Sequence, residues 1–305
     1  MESSEKKRRE SLSAMLTQSV DRLSAPESLR GLWHRRQDGI PLPSNTALAE
    51  VVELSRSILF PGFYGKSTVS PSTIKYQIGV SAERLQRCLA GQVLAGLAFK
   101  PVGDGDLPHC EIDCLKDKAL EISTELIARL PSIRETLATD VTAAYNGDPA
   151  ADSKAEVIAC YPAIKALTNY RVAHELLLLG VPLIPRMLSE MAHSETGIDI
   201  HPGATIGRYF TIDHGTGVVI GATTVIGNNV KIYQGVTLGA KSFPLDADGN
   251  PIKGIPRHPI IGDDVVVYAN ATVLGRIHIG RGCVVGANVW VTHDLEPGTK
   301  TYFQS

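Results

Sequence analysis

The segment "IDHGTG", residues 212–217, sets an aspartate, a histidine and two glycines within six positions. Neutral imidazole has a pKa near 7, so His214 suits the removal of a proton from a hydroxyl. It would equally suit a metal ion, or a hydrogen-bonded place in a turn. A second segment with metal-binding residue types, "HCEIDC" at 109–114, has no further cysteine pair to complete a tetrahedral set and is read as a surface loop. Taken alone, the residue types leave all three readings of His214 open.

The elements that must position this histidine change character near residue 195. Before it, apolar residues recur at spacings of three and four in "TALAEVVELSRSILF" (46–60), "EISTELIARLPSIRETLATDVTAAY" (121–145) and "AEVIACYPAIKALTNYRVAHELLLLG" (155–180), the period of amphipathic helices. Pro162 divides the third stretch into two helices or one kinked helix. Segments 61–80 and 100–117, rich in Pro, Gly and Ser, read as connections. Residues 1–20, with the basic run Lys6-Lys7-Arg8-Arg9, read as a solvated, disordered end.

After residue 195 the period is six. Aliphatic residues stand at Ile200, Ile206 and Ile212, resume after a two-residue insertion at Ile220, Ile226, Ile232 and Leu238, and continue at Ile261, Val267, Val273, Ile279, Val285 and Val291. This period fits neither a helix nor an alternating sheet. It is the signature of a parallel β-helix in which three hexapeptides make one coil. The fold class is therefore α+β: a helical domain over 1–195, then a left-handed β-helix over 196–305 with an extended loop at 239–260. Each coil stacks only on its neighbours, so both ends need protection, and the helical domain would cap the first.

Composition is that of an ordinary soluble protein, with 43% hydrophobic and 20% charged residues. A net charge of −2 gives no reason to expect nucleic-acid or membrane binding. The first twenty residues lack the apolar centre of a signal peptide, and five irregularly spaced cysteines suggest reduced thiols and a cytoplasmic location.

From Asp148 to about Gly298 the sequence resembles the serine acetyltransferases, through "YNGDPAA", "YRVAHEL", "DIHPGATIG", "DHGTGVVIG", "QGVTLGA" and "RHPIIGDDV". The resemblance implies transfer of acetyl from acetyl-CoA, a cosubstrate and not a resident cofactor, to the hydroxyl of L-serine, the first step of cysteine biosynthesis. It implies a homotrimer or a dimer of trimers with sites between β-helices, and inhibition by L-cysteine. His214 would be the base and Asp199, fifteen positions earlier, its orienter. Asp148 and Asp213 would serve the substrate's ammonium and hydroxyl side, and Arg257 and His258 its carboxylate. Gly239, Ala240, Lys241, Ala269 and Ala271 would line the CoA arm, where small residues let a ligand approach the backbone. His201 is read as a structural turn histidine.

Two departures stand out. The interruption "GAKSFPLDADGNPIKGIPRHP" is longer and less glycine-rich than in many members, and the chain stops at Gln304-Ser305 without the aliphatic end that docks O-acetylserine sulfhydrylase. No complex with that enzyme is expected. The alternative is a hexapeptide acyltransferase acting on a sugar or another small hydroxyl or amine acceptor, which would not need Asp148 or the Arg257-His258 pair. A zinc-dependent carbonic anhydrase of the same fold needs two histidines five apart, and no such pair exists in the repeat region. A non-catalytic scaffold would leave Asp199, His214 and Arg257 without a common reason.

Overall fold

The computed structural model describes residues 2–34, 39–65, 68–99 and 109–302; the end at Gln304-Ser305 lies outside them. Helix α1 (Glu2–Ser24) replaces the disorder expected over 1–20. Glu, Lys, Arg, Leu and Met are strong helix formers, and neither Gly nor Pro interrupts before Pro26. Its side chains from Glu5 to Ser24 are exposed, so local propensity rather than burial carries it.

A short α2 (Pro26–Leu29) precedes α3 (Asn45–Leu59), whose first turn is capped by the Ser44 side chain accepting from the Ala47 amide. Helices α4 (Ile74–Leu97) and α5 (His109–Gly147) both begin earlier than expected. Residues 74–80 and 109–117, read as connection, are helical: Ile78 of α4 packs against the core, and in α5 Ile112 and Ala119 already carry the buried period. "HCEIDC" therefore lies on the first turns of α5 and not in a loop, with Cys110 and Cys114 exposed. Pro162 does divide its stretch, giving α6 (Lys154–Cys160) and α7 (Pro162–Leu178) with Tyr161 extended between them. Helix α8 (Ile184–Thr196) ends at Gly197, whose φ of 72° closes the last turn.

The remaining chain winds into three parallel sheets. One stacks β1 (Asp199–Ile200), β4 (Val219–Ile220), β7 (Thr237–Gly239), β10 (Thr272–Leu274) and β13 (Trp290–Val291). The second stacks β2 (Thr205–Ile206), β5 (Val225–Ile226), β8 (Ile260–Ile261) and β11 (His278–Ile279). The third stacks β3 (Thr211–Asp213), β6 (Lys231–Tyr233), β9 (Val266–Val267), β12 (Val284–Val285) and β14 (Lys300–Thr301). All the six-period aliphatic residues are buried and stack on their equivalents, as in Ile200 on Ile220 on Leu238 on Val273 on Val291.

An open first coil would leave backbone carbonyls without partners, a cost that the helical part offsets. Tyr170 Oη donates to Ala204 O at 2.6 Å, Ser189 Oγ to Ile200 O at 2.7 Å, and Arg171 to Gly207 O at 2.9 Å. Arg171 also pairs with Asp140 at 2.8 Å, and Asp140 accepts from the Phe210 amide at 3.1 Å. One continuous apolar core runs from α3 through α7 into the coils.

Candidate active site

An irregular coil offset opens one of the places where chemistry can sit. Ile200 pairs with Ile220 twenty positions on, whereas Ile220 pairs with Leu238 after eighteen. The two extra residues fall in the corner after β3, which carries His214, Gly215, Thr216 and Gly217. His214 itself adopts φ 57°, a left-handed conformation uncommon outside glycine but more readily adopted by asparagine, aspartate and histidine than by other residues. Its imidazole is 76% exposed and points its Nε2 at Asp213 Oδ1, 3.8 Å away.

The other carboxylate at this corner comes from the turn that ends α5. Asp148 accepts from the Ala150 amide at 2.8 Å and from Tyr161 Oη at 2.5 Å. The Tyr161 bond, then the amide, then the charges of Lys231 and His214 hold the Asp148 carboxyl below the usual carboxylate range. The same bond pushes the Tyr161 phenol up to about 12, with burial adding to it. Lys231 joins the two halves: its Nζ lies 3.0 Å from Asp213 Oδ2 and donates to Gly147 O at 2.7 Å. Continuing the β3–β6–β9 register past Asp213, Tyr233 and Tyr268 stacks His214, Gln234 and Ala269 on successive coils of one edge.

Arg257 and His258 lie elsewhere, at the corner between the first and second sheets. Thr223 organises it, accepting from the Arg257 and His258 amides at 2.9 and 3.1 Å while its own amide donates to His258 Nδ1 at 3.1 Å. His258 is 7% exposed, and burial, Arg257, His201 and Arg276 lower its pKa to about 4. Arg276 secures the turn by donating to Thr223 O and His258 O at 2.7 and 3.0 Å. The Arg257 guanidinium lies over the Phe243 ring at 5.5 Å, and its buried Nε has no hydrogen-bond partner. Gly239, Ala240 and Lys241 begin the loop at this same corner, where Gly239 O accepts from the Gly275 amide at 3.0 Å.

The structure thus divides the residues singled out in the sequence between two corners. Asp148, Asp213, His214 and Ala269 share one; Arg257, His258, Gly239, Ala240 and Lys241 share the other. Asp199 starts β1 directly beside the His214 corner, where Gly217 N donates to Gly197 O and Asp199 N to Val218 O, both at 2.9 Å. No hydrogen bond or ion pair joins its carboxylate to His214 among the described residues; its charge also favours the protonated His201 ring. Ala271 is a correction. It is fully buried, and its amide and carbonyl are both bonded, to Tyr268 and Thr237, so it belongs to the core and offers nothing to a ligand arm. His201 Nδ1 accepts from the Gly203 amide at 2.9 Å, as a turn histidine should.

Comparison with known proteins identifies the scaffold and then the family. The Bacterial transferase hexapeptide (six repeats) family matches residues 258–293. The chain is 50% identical over 259 residues to "Serine acetyltransferase, plasmid" of Synechococcus elongatus, covering 85% of this chain and 81% of that protein. The chain belongs to the serine acetyltransferase family. Crystal structures of serine acetyltransferases agree. Isoform 3 of Entamoeba histolytica, in complex with cysteine, has TM-score 0.71 and 35% identity over 96% of this chain and 91% of its own. The soybean enzyme complexed with serine has TM-score 0.54 and 30% identity over 86% of this chain and 98% of its own.

As a serine acetyltransferase-family acyltransferase, the chain has three site elements that sequence reasoning missed: Tyr161, Lys231 and Thr223. Tyr161 carried a signal, since it stands before Pro162 and so must leave the helix. Lys231 and Thr223 carried none, because the residues each acts on are brought near only by the tertiary fold.

Proposed function

We propose that this acyltransferase moves the acetyl group of acetyl-CoA to the hydroxyl of L-serine, giving O-acetyl-L-serine and CoA. The observation that carries this reading is the convergence of Asp148, Asp213 and His214 at one corner from two separate parts of the chain. A hydroxyl acceptor with a neighbouring ammonium needs a base and anionic groups together, and this corner supplies both. His214 removes the hydroxyl proton as the oxygen attacks the thioester carbonyl, then returns it to the departing thiolate. Asp148 and Asp213 hold the ammonium, and Asp199, on the adjoining strand, orients the base.

Arg257 and His258 receive the carboxylate, with the unpartnered Arg257 Nε supporting that role. Since they stand at a different corner, a second copy completes the site, which favours a trimer or a pair of trimers. The thioester arm runs along the edge from Ala269 to His214, a distance of about 10 Å for two coil steps, with Gly239, Ala240 and Lys241 of the neighbour opposite. The soybean relative's complex with serine and the Entamoeba relative's with cysteine support serine as acceptor and cysteine as its competitor. Five unpaired cysteines support a reducing, cytoplasmic setting. Among the described residues no helix is long and apolar enough to cross a membrane.

Thiol release from acetyl-CoA, followed with L-serine and with a panel of amino sugars, tests the assignment. Release should require serine; release that is independent of serine, or faster with a sugar, would overturn it.

A further inference from the structure

The carboxylate nearest the base is shared. Asp213 turns Oδ1 toward His214 Nε2 at 3.8 Å and Oδ2 toward Lys231 Nζ at 3.0 Å. An anion beside an imidazole favours its protonated form, and a protonated imidazole cannot accept a proton. A second carboxylate, Asp148, acts on the same corner, so without a counter-charge His214 would face anions alone. Among the described residues, the charged and titratable groups around it are Asp213 on β3, Asp199 on the adjoining β1, Asp148 and Tyr161 from the helical part, and Lys231 and Tyr233 on β6. Lys231 is the only cation among these.

Its placement is fixed from three sides. The side chain is only 18% exposed, the ammonium lies 4.7 Å from the Tyr233 ring centre, and it donates to Gly147 O at 2.7 Å. Tyr233 is held in turn by stacking on Tyr268, with ring centres 5.0 Å apart. A lysine used only to coat the surface would not be tied to a carboxylate, a carbonyl and an aromatic face at once.

We propose that Lys231 is a positioning residue of the acyl transfer: it neutralises Asp213 beside His214, so that the imidazole stays unprotonated and ready to act as base, and it fastens the Asp148 turn to the β-helix. This rests on His214 being the base.

The test compares Lys231→Met and Lys231→Arg with the parent protein. The His214 imidazole is titrated by NMR, its signal assigned by its loss in His214→Ala, and kcat/KM for L-serine is measured from pH 6 to 9. In Lys231→Met, the His214 signal should move to higher pH than in the parent. Relative to the parent's, this variant's kcat/KM should be about threefold lower at pH 6 than at pH 9, while Lys231→Arg should follow the parent throughout. An unchanged His214 titration in Lys231→Met would overturn the proposal, as would a loss of activity equal at every pH. If the parent releases thiol without serine, the acceptor assignment fails, but the NMR titration still decides what Lys231 does to His214.

Discussion

Tyr161 Oη donates to Asp148 Oδ2 at 2.5 Å, so the carboxylate at the end of α5 is held by the residue that separates α6 from α7. The corner proposed to hold the ammonium is therefore built by the helical part as much as by the β-helix. Tyr161→Phe removes the donor without changing the ring. The expected result is a KM for serine raised roughly threefold to tenfold with kcat little changed, the pattern of lost ground-state binding. Steady-state kinetics with serine varied would show it; an unchanged KM would remove Tyr161 from the site.

The left-handed backbone at His214 separates activity from stability. Asparagine tolerates φ near 57° better than most residues, so His214→Asn should fold as the parent does. Turnover should fall by at least about a hundredfold, the lower end of a general base's contribution. A thermal melt and a thiol-release assay on the same preparation check both halves, and a variant with parental turnover would exclude His214 as base.

His258 predicts how stability depends on pH. Its pKa is lowered from 6.5 to about 4 in the folded state, so between these values the unfolded chain binds the proton and the folded chain does not. Stability is then greatest above pH 6.5 and falls as pH drops through this window, by at most roughly 3 kcal/mol. The physical cause is local: Nδ1 accepts from the Thr223 amide, and a protonated Nδ1 would face that donor with another. In His258→Asn, which can keep an acceptor there, Tm measured from pH 7 down to pH 4.5 should fall less steeply than in the parent.

Gly221 is packed against the same imidazole. A Cβ built there would meet His258 Cδ2 at 2.0 Å, and the ring is buried. Gly221→Ala should cost about 1–3 kcal/mol through overpacking and weaken serine binding by displacing His258. Denaturant unfolding and KM for serine measure the two effects, and a variant as stable as the parent would show that the ring is mobile.

Ala269 and Ala271 should behave oppositely. Ala269, on the edge below His214, is partly exposed, whereas Ala271 is fully buried. Ala269→Val should raise the KM for acetyl-CoA with little change in Tm. Ala271→Val should lower Tm by overpacking the coil and leave that KM near the parent's. The reverse pattern would put the CoA arm elsewhere.

Much of the architecture was legible in the amino-acid order because a coil of this kind is encoded locally. Each inward aliphatic residue, from Ile200 to Val291, is set by a six-residue period that needs no distant partner, and every one is buried. Where a helix begins was harder to read: Gly, Pro and Ser near 61–72 and 100–108 masked the first turns of α4 and α5, and the composition of α1 suggested disorder where propensity gives a helix. The motifs around Asp199, His214 and Arg257 also stood in plain sight, and through them the family. Which of those residues meet was decided only by the tertiary structure. Successive coils are offset by eighteen, twenty or thirty-five positions, as in Ile220 to Leu238, Ile200 to Ile220 and Leu238 to Val273, so linear spacing does not give the corner on which a residue falls. That geometry put His214 and Arg257 on different corners, turned Ala271 inward, and brought Lys231 within reach of both Asp213 and Gly147.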